Sequence, residues 1–172
     1  MNTPPTSTDG ALAHNQQHGR PPACAGSPKP RQKLAILTCM DTRLNPYTAM
    51  GLDAGDAHII RNAGGILTDD AVRSLVLSSH ELGTRELMII QHTDCGLLNV
   101  TDEAVLQNLE NRTGHTCVSP AAFFGFTDLD QNVRRQVRRA RDHPWLQDLT
   151  VQGFIYEVAE GKLREVQTPA LT

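Results

Sequence analysis

Two short apolar runs, Leu34-Ala35-Ile36-Leu37 and Leu87-Met88-Ile89-Ile90, pass without a polar interruption and are too short to be helices. That pattern belongs to strands buried on both faces of a parallel sheet. Between them, Val72, Leu75, Val76 and Leu82 recur near helical spacing, behind a start made of Thr68, Asp69 and Asp70 and ahead of a stop at Gly83. A second strand is predicted over residues 58–61, and a short helix begins at Asn45-Pro46-Tyr47, with proline near its first turn. Strand, helix and strand in alternation predict right-handed crossovers and parallel pairing.

After residue 96 the pattern weakens. Residues 101–110 read as a helix, and residues 111–126 as a loop carrying Pro120 and the apolar cluster Phe123, Phe124 and Phe126. The cluster suits local core packing or a partner subunit equally. Thr127-Asp128-Leu129-Asp130 reads as a capping box opening a helix to about Asp142, ahead of Pro144. Residues 151–158 and 163–166 then form a hairpin around Glu160-Gly161. The expected fold class is α/β: a mostly parallel sheet flanked by helices, ending in that hairpin. Residues 1–32 form an arm ahead of one domain over residues 33–172, with a possible short helix over residues 8–18 and an extended linker after it.

Composition changes this picture little. A chain of 172 residues is one domain's worth, 39% hydrophobic content is ordinary for a soluble protein, and no apolar run reaches membrane-spanning length. The first 30 residues hold six of the ten prolines and lack the apolar centre of a secretory signal, so the cytoplasm is the expected location. A net charge of -3 gives no support to nucleic acid as a partner. Arg134, Arg135, Arg138, Arg139 and Arg141 instead match the solvated face of an amphipathic helix whose other side carries Val133 and Val137.

The chemistry sits where the two apolar runs end. Thr38-Cys39-Met40-Asp41-Thr42-Arg43 follows the first, and Gln91-His92-Thr93-Asp94-Cys95-Gly96 follows the second. Open α/β sheets place their sites at the carboxyl ends of strands. His92 and Cys95 are close enough in sequence to reach one metal ion, with Cys39 arriving from the neighbouring strand, and two thiolates plus an imidazole suit Zn2+. Three protein ligands leave a fourth position open, as in catalytic sites. Asp41 and Arg43 alternate with Cys39 and fall on its side in extended geometry, so an Asp held by Arg can accept a hydrogen bond from water beside the metal. Cys24 and Cys117 take no role, and His58, His80, His115 and His143 have no partner at ligand spacing.

Cys-x-Asp-x-Arg, then Ile60-Arg61-Asn62-Ala63-Gly64-Gly65, then His-x-x-Cys resembles the β-class carbonic anhydrases, in their small prokaryotic branch. The resemblance implies Cys39, His92 and Cys95 as zinc ligands and Asp41 with Arg43 as a dyad orienting a zinc-bound hydroxide. It also implies a substrate pocket lined by Asn62, Ala63 and Gly64, reversible hydration of carbon dioxide to bicarbonate, and a homodimer or larger even-numbered assembly. Two alternatives stand beside it: hydrolysis of carbonyl sulfide or carbon disulfide with the same ligands, and a non-catalytic zinc or thiol redox sensor. Gln91 and Leu97 depart from the family, where histidine and methionine are frequent.

Overall fold

The structure is a computed structural model that describes residues 5–22, 24–116, 119–120 and 122–169; Cys117 lies outside the described residues. Its centre is a five-stranded sheet. β1 (Leu34–Cys39), β2 (Ala57–Asn62), β3 (Glu86–His92), β4 (Thr150–Glu157) and β5 (Lys162–Val166) lie in the order β2-β1-β3-β4-β5. The pairs β1–β2, β1–β3 and β3–β4 are parallel, and β4–β5 is antiparallel, closing the sheet with the expected hairpin. Helices α1 (Ser7–His18), α2 (Pro46–Met50), α3 (Asp69–His80), α4 (Asp102–Thr113) and α5 (Leu129–Asp142) complete the chain. Among the described residues no helix is long and apolar enough to cross a membrane.

The apolar alternation decides which face each strand gives to which helix. Ala35 and Leu37 of β1, Leu87 and Ile89 of β3, and Val151 and Ile155 of β4 pack with Ala71 and Leu75 of α3 and Val133, Val137 and Ala140 of α5. Ile36 and Ile90, on the opposite face, pack with Leu44 and Leu52. The central strands are thus covered on both sides, which is why their sequences lack polar alternation.

Gly153 marks a close approach of α5 to the sheet. A Cβ there would stand 2.5 Å from Val133 Cγ1 and 2.8 Å from Val137 Cγ2. Gly153→Ala is therefore expected to cost about 1–3 kcal/mol of stability through overpacking. Urea unfolding checks this, and an unchanged midpoint would mean that α5 can shift at no cost.

Element ends differ in detail from the sequence expectation. The α5 cap is Asp128, not Thr127, because the Asp128 carboxylate accepts from the Gln131 N–H at 2.9 Å. α4 runs one turn past residue 110 and stops where Gly114 takes the left-handed conformation at φ 71°. α3 ends at His80, three residues before Gly83, which serves the following turn at φ 83°. Arg141 is not part of a solvated face: it donates to the carbonyls of Thr168 and Val151, both at 2.6 Å, tying α5 to β4 and the chain end. α1 is closed by a capping box between Thr6 and Asp9 and has no buried residue.

Candidate metal centre and dyad

Parallel pairing of β1 with β3 sets their carboxyl ends together, Thr38 opposite Ile90, so that the loops after Cys39 and His92 meet. The Thr38 hydroxyl donates to the Ile90 carbonyl at 2.9 Å and fastens the two ends. Cys39, His92 and Cys95 are all buried there, with their ligand atoms within 4.8 Å of one another. Cys95 reaches the site through a turn in which Asp94 adopts φ 58°.

His92 Nδ1 lies 2.9 Å from the Thr93 carbonyl, which can only accept, so Nδ1 carries the proton and Nε2 presents its lone pair. That Nε2 is buried and has no hydrogen-bond partner. An orphaned imidazole nitrogen beside two thiols is the arrangement a tetrahedral, sulfur- and nitrogen-loving ion fits. The two thiols share charge unequally: the hydrogen bond from Cys95 pulls the Cys39 thiol well below its ordinary value, and the Cys95 thiol is pushed up in return. Burial disfavours the charged form of His92, but the adjoining Cys39 sulfur, the hydrogen bond to the Thr93 carbonyl and the nearby Asp41 charge outweigh it, and the net shift is upward. The Gly64 N–H contributes a 3.4 Å contact to Cys39 Sγ.

Asp41 Oδ2 lies 3.8 Å from His92 Nε2, on the ligand cluster. Its carboxylate is gripped by Arg43 through Nε at 3.0 Å, Nη2 at 2.8 Å and the backbone N–H at 2.9 Å. Those hydrogen bonds, side chain first, hold Asp41 well below the usual carboxylate range. The pair's stabilisation is therefore present above the ordinary carboxylate value and lost as pH falls through the depressed one.

Asn62, Ala63 and Gly64 also come to the site, with different tasks. The Asn62 side chain accepts from the Ile66 N–H at 2.9 Å and donates to the Ile66 carbonyl at 2.7 Å, so it closes its own loop. Ala63 is exposed, and Gly64 is buried at φ 79°. A Cβ on Gly64 would meet Leu97 Cδ1 at 2.8 Å, and one on Gly65 would meet Thr38 C at 3.0 Å and Cys39 N at 3.1 Å. Phe126 packs on Cys39 and Cys95 together with Leu97, Leu98 and Leu129, which gives the site an apolar wall. Of the two placements open for the phenylalanine cluster, Phe126 takes the local one.

Several contributors carry no signal in the sequence. Arg61 donates to the Cys39 carbonyl at 3.0 Å and the Asp41 carbonyl at 2.6 Å, clamping the chain between Cys39 and Asp41. Behind β3, three buried amides form a chain: Asn132 donates to Gln91, Gln136 donates to Asn132, and Gln136 accepts from the Leu67 N–H at 3.1 Å. Gln136→Leu leaves that N–H buried and unpaired and is expected to cost about 1–3 kcal/mol. A denaturation midpoint equal to wild type would rule this out. A helical period finds α5, but it does not say that two of its inward positions are amides, one bonded to Gln91 of β3 and the other to the Leu67 N–H.

Residues 34–163 match the family model described as carbonic anhydrase. The chain is 39% identical over 163 residues to β-carbonic anhydrase 1 of Mycobacterium tuberculosis, covering 94% of this chain and 98% of that one. It is 37% identical over 152 residues to a carbon disulfide hydrolase of Acidithiobacillus thiooxidans, covering 77% and 76%. Among solved structures, the carbonic anhydrase of Streptococcus mutans superposes with a TM-score of 0.86 at 37% identity, over 96% of this chain and all of that one.

Proposed function

This chain belongs to the β class of the carbonic anhydrase family, and on that footing we propose that it hydrates carbon dioxide reversibly to bicarbonate, with zinc held by Cys39, His92 and Cys95. The observation that carries the reading is one juxtaposition: three converging ligand atoms, with an Arg-locked carboxylate 3.8 Å from the imidazole nitrogen.

Bound there, zinc would supply a Lewis acid that makes water a nucleophile near neutral pH. The chain's own residues do the rest. Cys39 and Cys95, as thiolates, offset the ion's charge, and the Gly64 N–H tempers Cys39. Asp41 stays ionised and is an acceptor only, so it takes the hydrogen bond of the attacking water and turns a lone pair toward the substrate carbon. Arg43 fixes the direction in which that carboxylate points. Leu97 and Phe126 offer an apolar surface to a substrate that makes few hydrogen bonds of its own.

A second reading has a specific support. The carbon disulfide hydrolase relative makes sulfur analogues of the same linear molecule candidate substrates. Turnover of carbon dioxide, carbonyl sulfide and carbon disulfide, measured side by side on protein of known zinc content, tests both. Fast hydration of carbon dioxide supports the first reading; negligible hydration with rapid sulfide release would transfer the assignment to the second. We further propose a homodimer, on the family resemblance, with a dimeric mass in solution as the expected result and a monomeric mass against it.

A further inference from the structure

Arg43 is gripped from two sides. Beyond its contacts to Asp41, Nη1 donates to Asp94 Oδ2 at 2.6 Å and Nη2 donates to the Asp94 carbonyl at 2.9 Å. Four N–H···O contacts thus occupy the fork, two to each aspartate, and all three guanidinium nitrogens are engaged. Asp94 sits between the ligand positions His92 and Cys95, and its φ of 58° is what turns its carbonyl and its carboxylate to the same guanidinium. The loop after β3, which carries two ligands, is thereby joined to the loop after β1, which carries the dyad, across 51 positions of sequence.

From this geometry we infer that Asp94 is a positioning residue for the dyad, acting through Arg43 on the direction of the Asp41 carboxylate. Asp41 alone leaves the guanidinium free to swing with it, because both of its side-chain contacts lie on one edge of the fork. Asp94 holds the other edge and makes the plane of Arg43 a fixed reference. The Asp94 side chain is 80% exposed, so its ion pair adds little to stability. Its effect is on orientation, which turnover reads and a melting curve does not.

The inference rests on the carbonic anhydrase reading for its kinetic test but not for its spectroscopic one. Asp94→Asn suits the experiment, since asparagine adopts the left-handed region as readily as aspartate and keeps the backbone contact. In zinc-loaded protein the variant is expected to lower kcat for carbon dioxide about tenfold, with KM, zinc content and Tm unchanged. In an Arg43→Ala background the same change is expected to alter kcat less than about twofold, because the residue through which Asp94 acts is gone. Nitrogen-15 spectra of the Arg43 side chain should show separate, slowly rotating Nη protons in wild type and averaged ones in Asp94→Asn. Wild-type kcat in the single variant, or the same tenfold loss in both backgrounds, would overturn the inference. Should wild type not turn over carbon dioxide at all, the functional reading falls; the Arg43 spectrum then decides alone, and an unchanged spectrum in Asp94→Asn overturns the positioning role.

Discussion

Alanine at His92 is expected to remove zinc and activity together, taking the metal from about one per chain to near none and carbon dioxide hydration down at least a thousandfold. The ring is buried, its Nδ1 is committed to the Thr93 carbonyl, and its Nε2 has no partner in the protein. Within the described residues the cluster that could hold the ion consists of Cys39, His92 and Cys95 alone, and the nearest further donor is the Asp41 carboxylate, 3.8 Å from Nε2. Two thiolates without the imidazole make a poor tetrahedral set, and the Asp41 carboxylate is already committed to Arg43. Elemental analysis with a melting curve separates loss of metal from loss of fold. Zinc retained at wild-type stoichiometry would show that the ligand assignment is wrong.

Asparagine at Asp41 should give the complementary result, with zinc kept and hydration lost by about a hundredfold to ten-thousandfold. The substitution preserves shape and an acceptor oxygen for the Arg43 backbone N–H, but it removes the charge that makes the group an acceptor only. Arg43→Ala acts one step further out and is expected to cost about ten- to a hundredfold. It should also carry a pH signature. With the guanidinium gone, the Asp41 carboxyl rises toward the ordinary carboxylate range, so on acidification the variant loses activity through protonation of Asp41 in addition to the loss that protonation of the attacking water gives both proteins. Equal activity in Asp41→Asn and wild type would remove Asp41 from the mechanism.

How much of this was readable beforehand depended on whether a feature is local in the chain. β1 and β3 announce themselves because burial on both faces demands unbroken apolar sequence, and their parallel pairing then delivers Cys39, His92 and Cys95 to one place. Asp41 with Arg43 is readable too, because they lie two positions apart, but a turn closed by the Leu44 N–H on the Asp41 carbonyl at 3.2 Å, rather than the expected extended chain, brings their side chains together. Arg61, Asp94 and the Gln91, Asn132 and Gln136 chain are not, because each acts on a partner 20 or more positions away through a side chain that looks ordinary on its own element. Asn62 shows the reverse: its place beside the site is readable from the motif, but the closure of its loop by the Asn62 amide on Ile66 is not. The cap of α5 at Asp128 turns on which of two adjacent side chains reaches the Gln131 N–H, a matter of one rotamer.

The most direct test is stopped-flow hydration of carbon dioxide by the wild-type chain, on protein whose zinc has been quantified. The account predicts about one zinc per chain and fast hydration proportional to zinc content, abolished by stripping the metal and restored by returning it. Full zinc with hydration no faster than buffer, or hydration that survives complete removal of the metal, would contradict it.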